Sequence, residues 1–320
     1  MADESPLILV FDTETTGLPE EIRFTDSSSL ERWPRIIQLS YILYNPVKME
    51  IVPVTSSQQY GDDIIKLEGL NKGDVIPAES IHGITAEKSL TGISIKDAID
   101  NFINAFNRAT SLVAHNIQYD VNVVCSELKR LIQTSTSESE MEKYLDVYNK
   151  LMGISPETAP LIVDTILFST KQCNVWPYKY IRDGRGVVLL DEHGEKRKEY
   201  FQNPRYPKGP NLEEAHIALF HQQPNGQLHN ALVDVAVCLR VYMITAQEYH
   251  TDICAPENRN PSNVEICRII NPGEPAPYKI PRQMPQRTTK RGGRRTRRNK
   301  HRKTHRNKHR KTHRKTTKKY

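Results

Sequence analysis

Apolar and polar residues alternate along this chain with periods that sort most of it into strands and helices. Residues 7–11, Leu-Ile-Leu-Val-Phe, are an apolar run too short for a globular helix. They predict a strand buried on both faces, ended by the turn Thr15-Thr16-Gly17. Residues 35–44 are rich in β-branched and aromatic side chains and stop at Asn45-Pro46, and 49–54 predict a third strand, giving an antiparallel meander. After a polar connection that includes Ile81-His82-Gly83-Ile84-Thr85, apolar residues recur at helical spacing through 94–108. A short strand at 111–114 leads into His115-Asn116-Ile117-Gln118-Tyr119-Asp120, beyond which Val121, Val124, Cys125 and Leu128 mark one helix face. Residues 134–153 predict a helical surface extension. A strand at 161–165 and a helix at 166–171 follow, with Asp164 as the cap between them.

The alternation breaks at 174–210, where 178–181, 187–190 and 198–201 predict short strands in a β-hairpin-like insertion. Trp176, Tyr178, Tyr180, Arg182, Arg185, Arg197 and Lys198 mix aromatic and basic groups. A nucleic-acid flap would carry such a mixture, but an ordinary solvated hairpin is the preferred reading. The last helix, about 230–248, is apolar almost all round, with Asp234 in the middle of the run. A charge in a buried helix needs a partner. Residues 254–286 carry seven prolines and predict a linker, of which 264–270 retains enough apolar character to dock. From 287 to 320 the chain is a basic, low-complexity tail with His301, His305, His309 and His313 at every fourth position. It has no apolar residue before Tyr320, and the prediction is disorder when free. The expected organisation is a domain at 1–253, a linker at 254–286 and the tail.

Charge sharpens that division. Of 45 Lys and Arg, 19 lie from Ile280 onward, where there is no Asp or Glu. The rest of the chain holds 26 basic against 38 acidic residues, a formal −12. The tail is thus an electrostatic ligand for a polyanion, joined to an acidic body. Five scattered cysteines without Cys-x-x-Cys spacing argue against a disulfide framework and against a structural zinc site. No apolar run is long enough to span a bilayer, and the acidic start Met-Ala-Asp-Glu-Ser-Pro lacks the basic character of a secretory leader. An intracellular protein, nuclear or cytoplasmic, with no membrane partner is expected.

Candidate chemistry gathers at the end of the first strand. If Asp12 and Glu14 continue it, the period of two puts both carboxylates on one face. Like charges held that close call for a compensating cation or proton, unless the strand simply runs out into solvent. Asp120 follows a strand at a helix start, and alone it fits a first-turn aspartate that favours the helix dipole. His229 precedes Asp234 by five residues, about 140° on an ideal helix, so it is placed on the breaker-rich loop after Gln223-Pro224-Asn225-Gly226. Alone it reads as an exposed loop histidine.

Together these residues are more specific. Phe11-Asp12-Thr13-Glu14-Thr15-Thr16-Gly17-Leu18, His115-Asn116-Ile117-Gln118-Tyr119-Asp120 and His229-Asn230-Ala231-Leu232-Val233-Asp234 come in that order over about residues 5–250. They resemble the motifs of the DEDDh 3′-to-5′ exonucleases, a family that includes the proofreading epsilon subunit of bacterial DNA polymerase III. The resemblance implies a ribonuclease-H-like α/β fold, a mixed five-stranded sheet with helices on both sides. It implies that Asp12 bridges two Mg²⁺ or Mn²⁺ ions and that Glu14, Asp120 and Asp234 complete their site, with hard oxygen ligands suited to those metals. Two ions roughly 3.5 to 4 Å apart would activate water and stabilise the leaving 3′ oxygen. His229 would take the proton from water. Thr15, Gly17 and Leu18, with His82 and Asn116, would hold the terminal nucleotide, and the product would be a 5′-mononucleotide.

The partner so implied is single-stranded DNA or a DNA 3′ end, in proofreading, repair or replication, with a polymerase or other replication protein alongside. RNA is the alternative substrate. A non-catalytic nucleic-acid-binding or packaging protein acting through the tail is an alternative of a different class. The tail also resembles, by composition, nuclear-localisation signals and the ends of proteins from large double-stranded DNA viruses. Two features depart from the family pattern: Tyr119 stands where Phe is usual, and the 174–210 insertion exceeds the family minimum.

Overall fold

The computed structural model describes residues 5–21, 23–25, 27–192, 194, 196–201 and 206–273. The basic tail, its histidine repeat and the last part of the Pro-rich segment lie outside the described residues. In chain order the elements are β1 (Ile8–Thr15), β2 (Ile36–Asn45), β3 (Glu50–Ile51), β4 (Gly61–Ile64), α1 (Glu79–His82), α2 (Ala86–Leu90), α3 (Ile95–Phe106) and β5 (Ser111–Ala114). They continue with α4 (Ile117–Thr134), α5 (Glu138–Leu151), β6 (Leu161–Asp164), α6 (Thr165–Cys173), β7 (Tyr178–Tyr180), β8 (Lys198–Tyr200), α7 (Leu212–Phe220), α8 (Ala231–Thr245) and α9 (Pro261–Ile270).

The main sheet runs β3-β2-β1-β5-β6, with β4 also on β2. β2 pairs antiparallel with β1, while β5 joins β1, and β6 joins β5, in parallel. The expected mixed sheet flanked by helices is present. It is five positions wide and contains six strands because one position is split. β3 faces Tyr44 and Asn45, while β4 takes Gln38 to Tyr41 of the same strand. Pro53, which has no N–H, follows the bond from Val52 N to the Leu43 carbonyl, and pairing ends there. β4 escaped the sequence reading because Gly61, Asp62 and Asp63 are poor strand formers.

Strand periodicity decides which layer each residue of β1 enters. Leu9 and Phe11 pack with Phe102 of α3 and Val124 of α4. Ile8 and Val10 pack on the other face with Val235 and Leu239 of α8. Removing each such side chain from water contributes about 1.5–3 kcal/mol. α8 meets β1, β2, α6, α7 and α9, which explains why it is apolar all round.

Two helices correct the sequence reading. Residues 261–270, expected in a linker, form α9, with Ile266 and Ile270 fully buried against α8. Pro261 sits in the first turn, where its missing N–H costs nothing, and the Asn260 side chain accepts from Asn263 N. The folded region therefore continues past 253. Cys254 and Cys267 are joined by a disulfide, a single bridge where the cysteine spacing argued against a disulfide framework. α7 was not marked, although Asn211 and Glu214 form a capping box there.

In the insertion, β7 and β8 pair antiparallel, but the expected strand at 187–190 gives only isolated bridges, Arg182 to Val188 and Leu190 to Lys196. Glu214 of α7 anchors the hairpin by accepting from the Tyr178 hydroxyl and pairing with Lys208. Among the described residues, no helix is long and apolar enough to cross a membrane.

Candidate metal centre

The face of β1 that buries Ile8 and Val10 against α8 continues, two residues at a time, to Asp12 and Glu14. Across the sheet Asp12 lies opposite Ser40 and Glu14 opposite Gln38, while Ser40 also faces Asp62 of β4. Directly opposed residues share a face. Gln38 Nε2 and Ser40 Oγ both donate to Asp62 Oδ1 at 2.7 Å. Gln38 Oε1 accepts from Ala231 N at 3.3 Å, tying the start of α8 to the strand beside Glu14.

Asp120 arrives from the other layer. Asn116, left-handed at φ 67°, turns the chain into α4, and its N–H donates to Asp164 Oδ1 at 3.0 Å. Asp120 then lies in the first turn, buried to 3% exposure, and does not cap its helix. Its Oδ1 accepts from Thr13 N at 3.0 Å and Thr13 Oγ1 at 2.7 Å. Asp164, by contrast, caps α6 through Ile166 N, as expected.

Asp234 stands in the first turn of α8, not mid-helix, because the helix starts at Ala231 after its Asn230 cap. Its Oδ2 accepts from His229 N at 2.9 Å. His229 lies outside the helix at φ 66°, so the 140° offset does not apply. Glu14, His229 and Asp234 each bring one potential ligand atom within 4.8 Å of the others.

Burial raises all four carboxyl pKa values, and repulsion from neighbouring carboxylates adds to it at Asp12, Glu14 and Asp120. Asp12 is pushed well above the ordinary range by burial and by Asp120, Asp234 and Glu14. Glu14 is raised to about 8 by burial, Asp234 and Asp120. Asp120 and Asp234 are each raised to about 7 by burial, against the lowering effect of the bonds from Thr13 and His229 N. Every neighbouring charge acting on Asp12 is another carboxylate. A hard divalent cation fits such a donor set, since it supplies the charge the protein leaves uncompensated.

The remaining predicted residues surround this cluster. Thr15 Oγ1 donates to the Gly17 carbonyl at 2.8 Å and shares a hydrogen bond with Tyr119 OH at 2.6 Å. Tyr119 OH also lies 3.2 Å from Gly17 O. Its hydroxyl is therefore satisfied, and it ties α4 to the end of β1. Leu18 is 85% exposed beside this turn. His82 is buried; its Nδ1 accepts from Ile84 N at 3.0 Å, while Nε2 has no hydrogen-bond partner among the described residues. Burial lowers its pKa, and His229 lies close enough to repel its charged form. Asn116 is exposed at the head of α4. His115 in the same motif is a structural joint, with Nδ1 2.8 Å from Thr165 Oγ1 and Nε2 3.0 Å from the Pro210 carbonyl.

Sequence reasoning missed Thr13, Gln38, Ser40 and Asp62. The signal for two of them was Gln38 and Ser40 spaced by two inside a strand otherwise almost wholly apolar.

No family model matches the chain, and no curated protein matches its sequence. Solved structures do resemble it. A product-bound exonuclease I is 11% identical over 77% of this chain and 45% of its own, with a TM-score of 0.43. Cell-death related nuclease 4 is 11% identical over 73% of this chain and 62% of its own, at 0.37. The nuclease domain of 3′hExo, a DEDDh family member bound to rAMP, is 12% identical over 41% of this chain and 62% of its own, at 0.28. The chain thus spans less than two thirds of the length of each.

Proposed function

We propose that this protein is a metal-dependent nuclease that removes nucleotides from the 3′ end of DNA and releases 5′-mononucleotides. One observation carries the reading: four carboxylates on three elements, the half-buried Asp12 and Glu14 of β1 and the buried Asp120 of α4 and Asp234 of α8, share one cluster with His229 at its rim. Asp12, Glu14, Asp120 and Asp234 would hold Mg²⁺ or Mn²⁺, which when bound supplies Lewis-acid activation of water and of the scissile phosphodiester. Thr13 keeps one Asp120 oxygen aimed and leaves the other free to ligate.

His229 is exposed, and its ring reaches the same few ångströms as Glu14 and Asp234. It is the group placed to take a proton from the attacking water at a ring nitrogen. Backbone groups at Thr15, Gly17 and Leu18, with His82 and Asn116, would contact the terminal nucleotide. Single-stranded DNA, or a frayed DNA 3′ end, would be the partner, with RNA as the alternative substrate. The basic tail would add electrostatic attraction for the phosphate chain.

A substrate panel tests the reading. With Mg²⁺ or Mn²⁺, single-stranded DNA and mismatched DNA 3′ ends should be shortened faster than matched RNA. Faster cutting of RNA would transfer the same chemistry to an RNA exonuclease. No cutting of any member would remove the proposal.

A further inference from the structure

The loop that carries His229 is held at three places. At its entry, His216 Nδ1 lies 2.8 Å from the Gln222 carbonyl. At its exit, His229 N donates to Asp234. Between these, Gly226 N donates to the Ile270 carbonyl at 2.8 Å, and Asn225 N donates to Asn271 Oδ1 at 3.1 Å. Both acceptors belong to the C-terminal turn of α9.

That approach is close and depends on glycine. A Cβ at Gly226 would stand 2.7 Å from Val233 Cγ1 and 2.9 Å from the Ile269 carbonyl, so a larger residue would push the loop off α9. His229 adds a second requirement. A non-glycine residue at φ 66° costs on the order of 1–3 kcal/mol and persists only where its surroundings hold it. The α9 turn is part of what holds it, and the turn is itself fixed. Asn271 N donates to the Cys267 carbonyl at 2.9 Å, and Cys267 is bonded to Cys254. A continuous physical path therefore runs from the disulfide through Asn271 and Ile270 to Gly226, and three residues later to His229.

We infer that the C-terminal turn of α9, through the Ile270 carbonyl and the Asn271 side chain, is a positioning element for His229, and that the Cys254–Cys267 disulfide determines how firmly it acts. The site then responds to thiol–disulfide state. This inference rests on the proton-accepting role proposed for His229. A dithiol reductant supplies the two electrons and two protons. The Cys254–Cys267 bond breaks to two thiols, and the dithiol closes to its own disulfide. Ile266, one turn earlier, is fully buried against α8 and would keep α9 docked, so the loosening is confined to its last turn and the loop.

Full-length protein, oxidised or treated with dithiothreitol, provides the test by two readouts. In amide hydrogen exchange, reduction should accelerate Asn225 and Gly226 about tenfold or more and leave Val235 to Leu239 of α8 unchanged. In turnover of single-stranded DNA, reduction should lower kcat about tenfold with KM held within about twofold, since the loss is of orientation and not of binding. Cys254→Ser/Cys267→Ser should behave as the reduced protein and ignore the reductant. Asn271→Ala should lower kcat in the same way, and Asn271→Asp, which keeps the acceptor oxygen, should restore it. Equal protection of Asn225 and Gly226 in both redox states, or an unaltered kcat in Asn271→Ala, overturns the inference. If no nucleic acid is cut in either state, the functional reading fails, while the exchange result still decides whether α9 holds the loop.

Discussion

Thr13 and Asp120 sit on elements 107 positions apart in sequence, and their two hydrogen bonds decide what Asp120 is for. Asp120 and Asp164 look alike in sequence, each an aspartate at a strand-to-helix junction. Asp164 accepts from Ile166 N of its own helix, whereas Asp120 accepts from the Thr13 N–H and hydroxyl of β1. Residue type and position alone mark both as polar helix starts; the resemblance of the His115–Asp120 motif sets Asp120 apart in the sequence, and the fold supplies the physical difference in their hydrogen bonds. Thr13→Val keeps the shape and removes one donor. It should weaken Mg²⁺ or Mn²⁺ binding about 10–100-fold with little change in fold, measured by calorimetric titration. Unchanged affinity would mean that Thr13 does not orient the ligand. The raised carboxyl pKa values give a second expectation. Glu14 is raised to about 8 and Asp234 to about 7, so the folded protein holds these protons more tightly than the unfolded chain. Their contribution to stability is full below the ordinary carboxyl range and is lost as pH rises through about 7 to 8. In EDTA, Asp234→Asn should therefore gain Tm relative to wild type between pH 5 and 8, and Mg²⁺ should stabilise wild type most at the upper end. A gap that stays constant across that range would contradict the charge clustering.

Among the elements, periodicity was most informative where burial is one-sided or complete. β5 appears at the expected residues, α3 begins after the Ser94 cap, and β1 carries its acidic end as anticipated. Polar or proline-bearing elements were harder to read. β4 is a short strand with two aspartates, and it persists because β2 offers it an edge to pair with. α9 hides between prolines, although Asn260-Pro261 is a helix start by capping rules. Its disulfide joins cysteines 13 residues apart, a spacing with no signature in a chain holding five of them. A further tertiary interaction invisible in sequence is Glu127 of α4, fully buried and paired with Arg35 Nε at 2.8 Å and Arg130 at 3.1 Å. It also accepts from Ile36 N at 3.2 Å, so it fixes α4, and hence Asp120, against the start of β2. Glu127→Ala leaves two arginines without their carboxylate and should cost about 3–5 kcal/mol in urea unfolding. A loss below about 1 kcal/mol would show that solvent replaces the pair at no cost.

For the whole molecule, charge is divided between residues 1–279, of formal −12, and the segment from Ile280 onward, which holds 19 of the basic residues. The carboxylate cluster is legible in the body because each of its motifs is local, and the fold needs only to bring them together. Substrate choice is less legible, since the insertion carries no site motif and the tail's composition specifies attraction but no shape. Deleting residues 287–320 should leave turnover of a short oligonucleotide nearly unchanged while weakening binding to long single strands. The log–log salt dependence should become shallower by about 0.7 for each phosphate that the tail no longer neutralises. An unaltered salt slope would show that the tail does not bind the strand. The most direct measurement of the central claim uses a 5′-labelled single-stranded DNA, incubated with Mg²⁺ and either wild-type protein, Asp12→Ala or His229→Ala. Wild type should produce a ladder shortening one nucleotide at a time from the 3′ end, abolished by EDTA and reduced at least about 100-fold in both variants. A ladder that persists in Asp12→Ala or His229→Ala would contradict the assignment of this cluster as the catalytic centre.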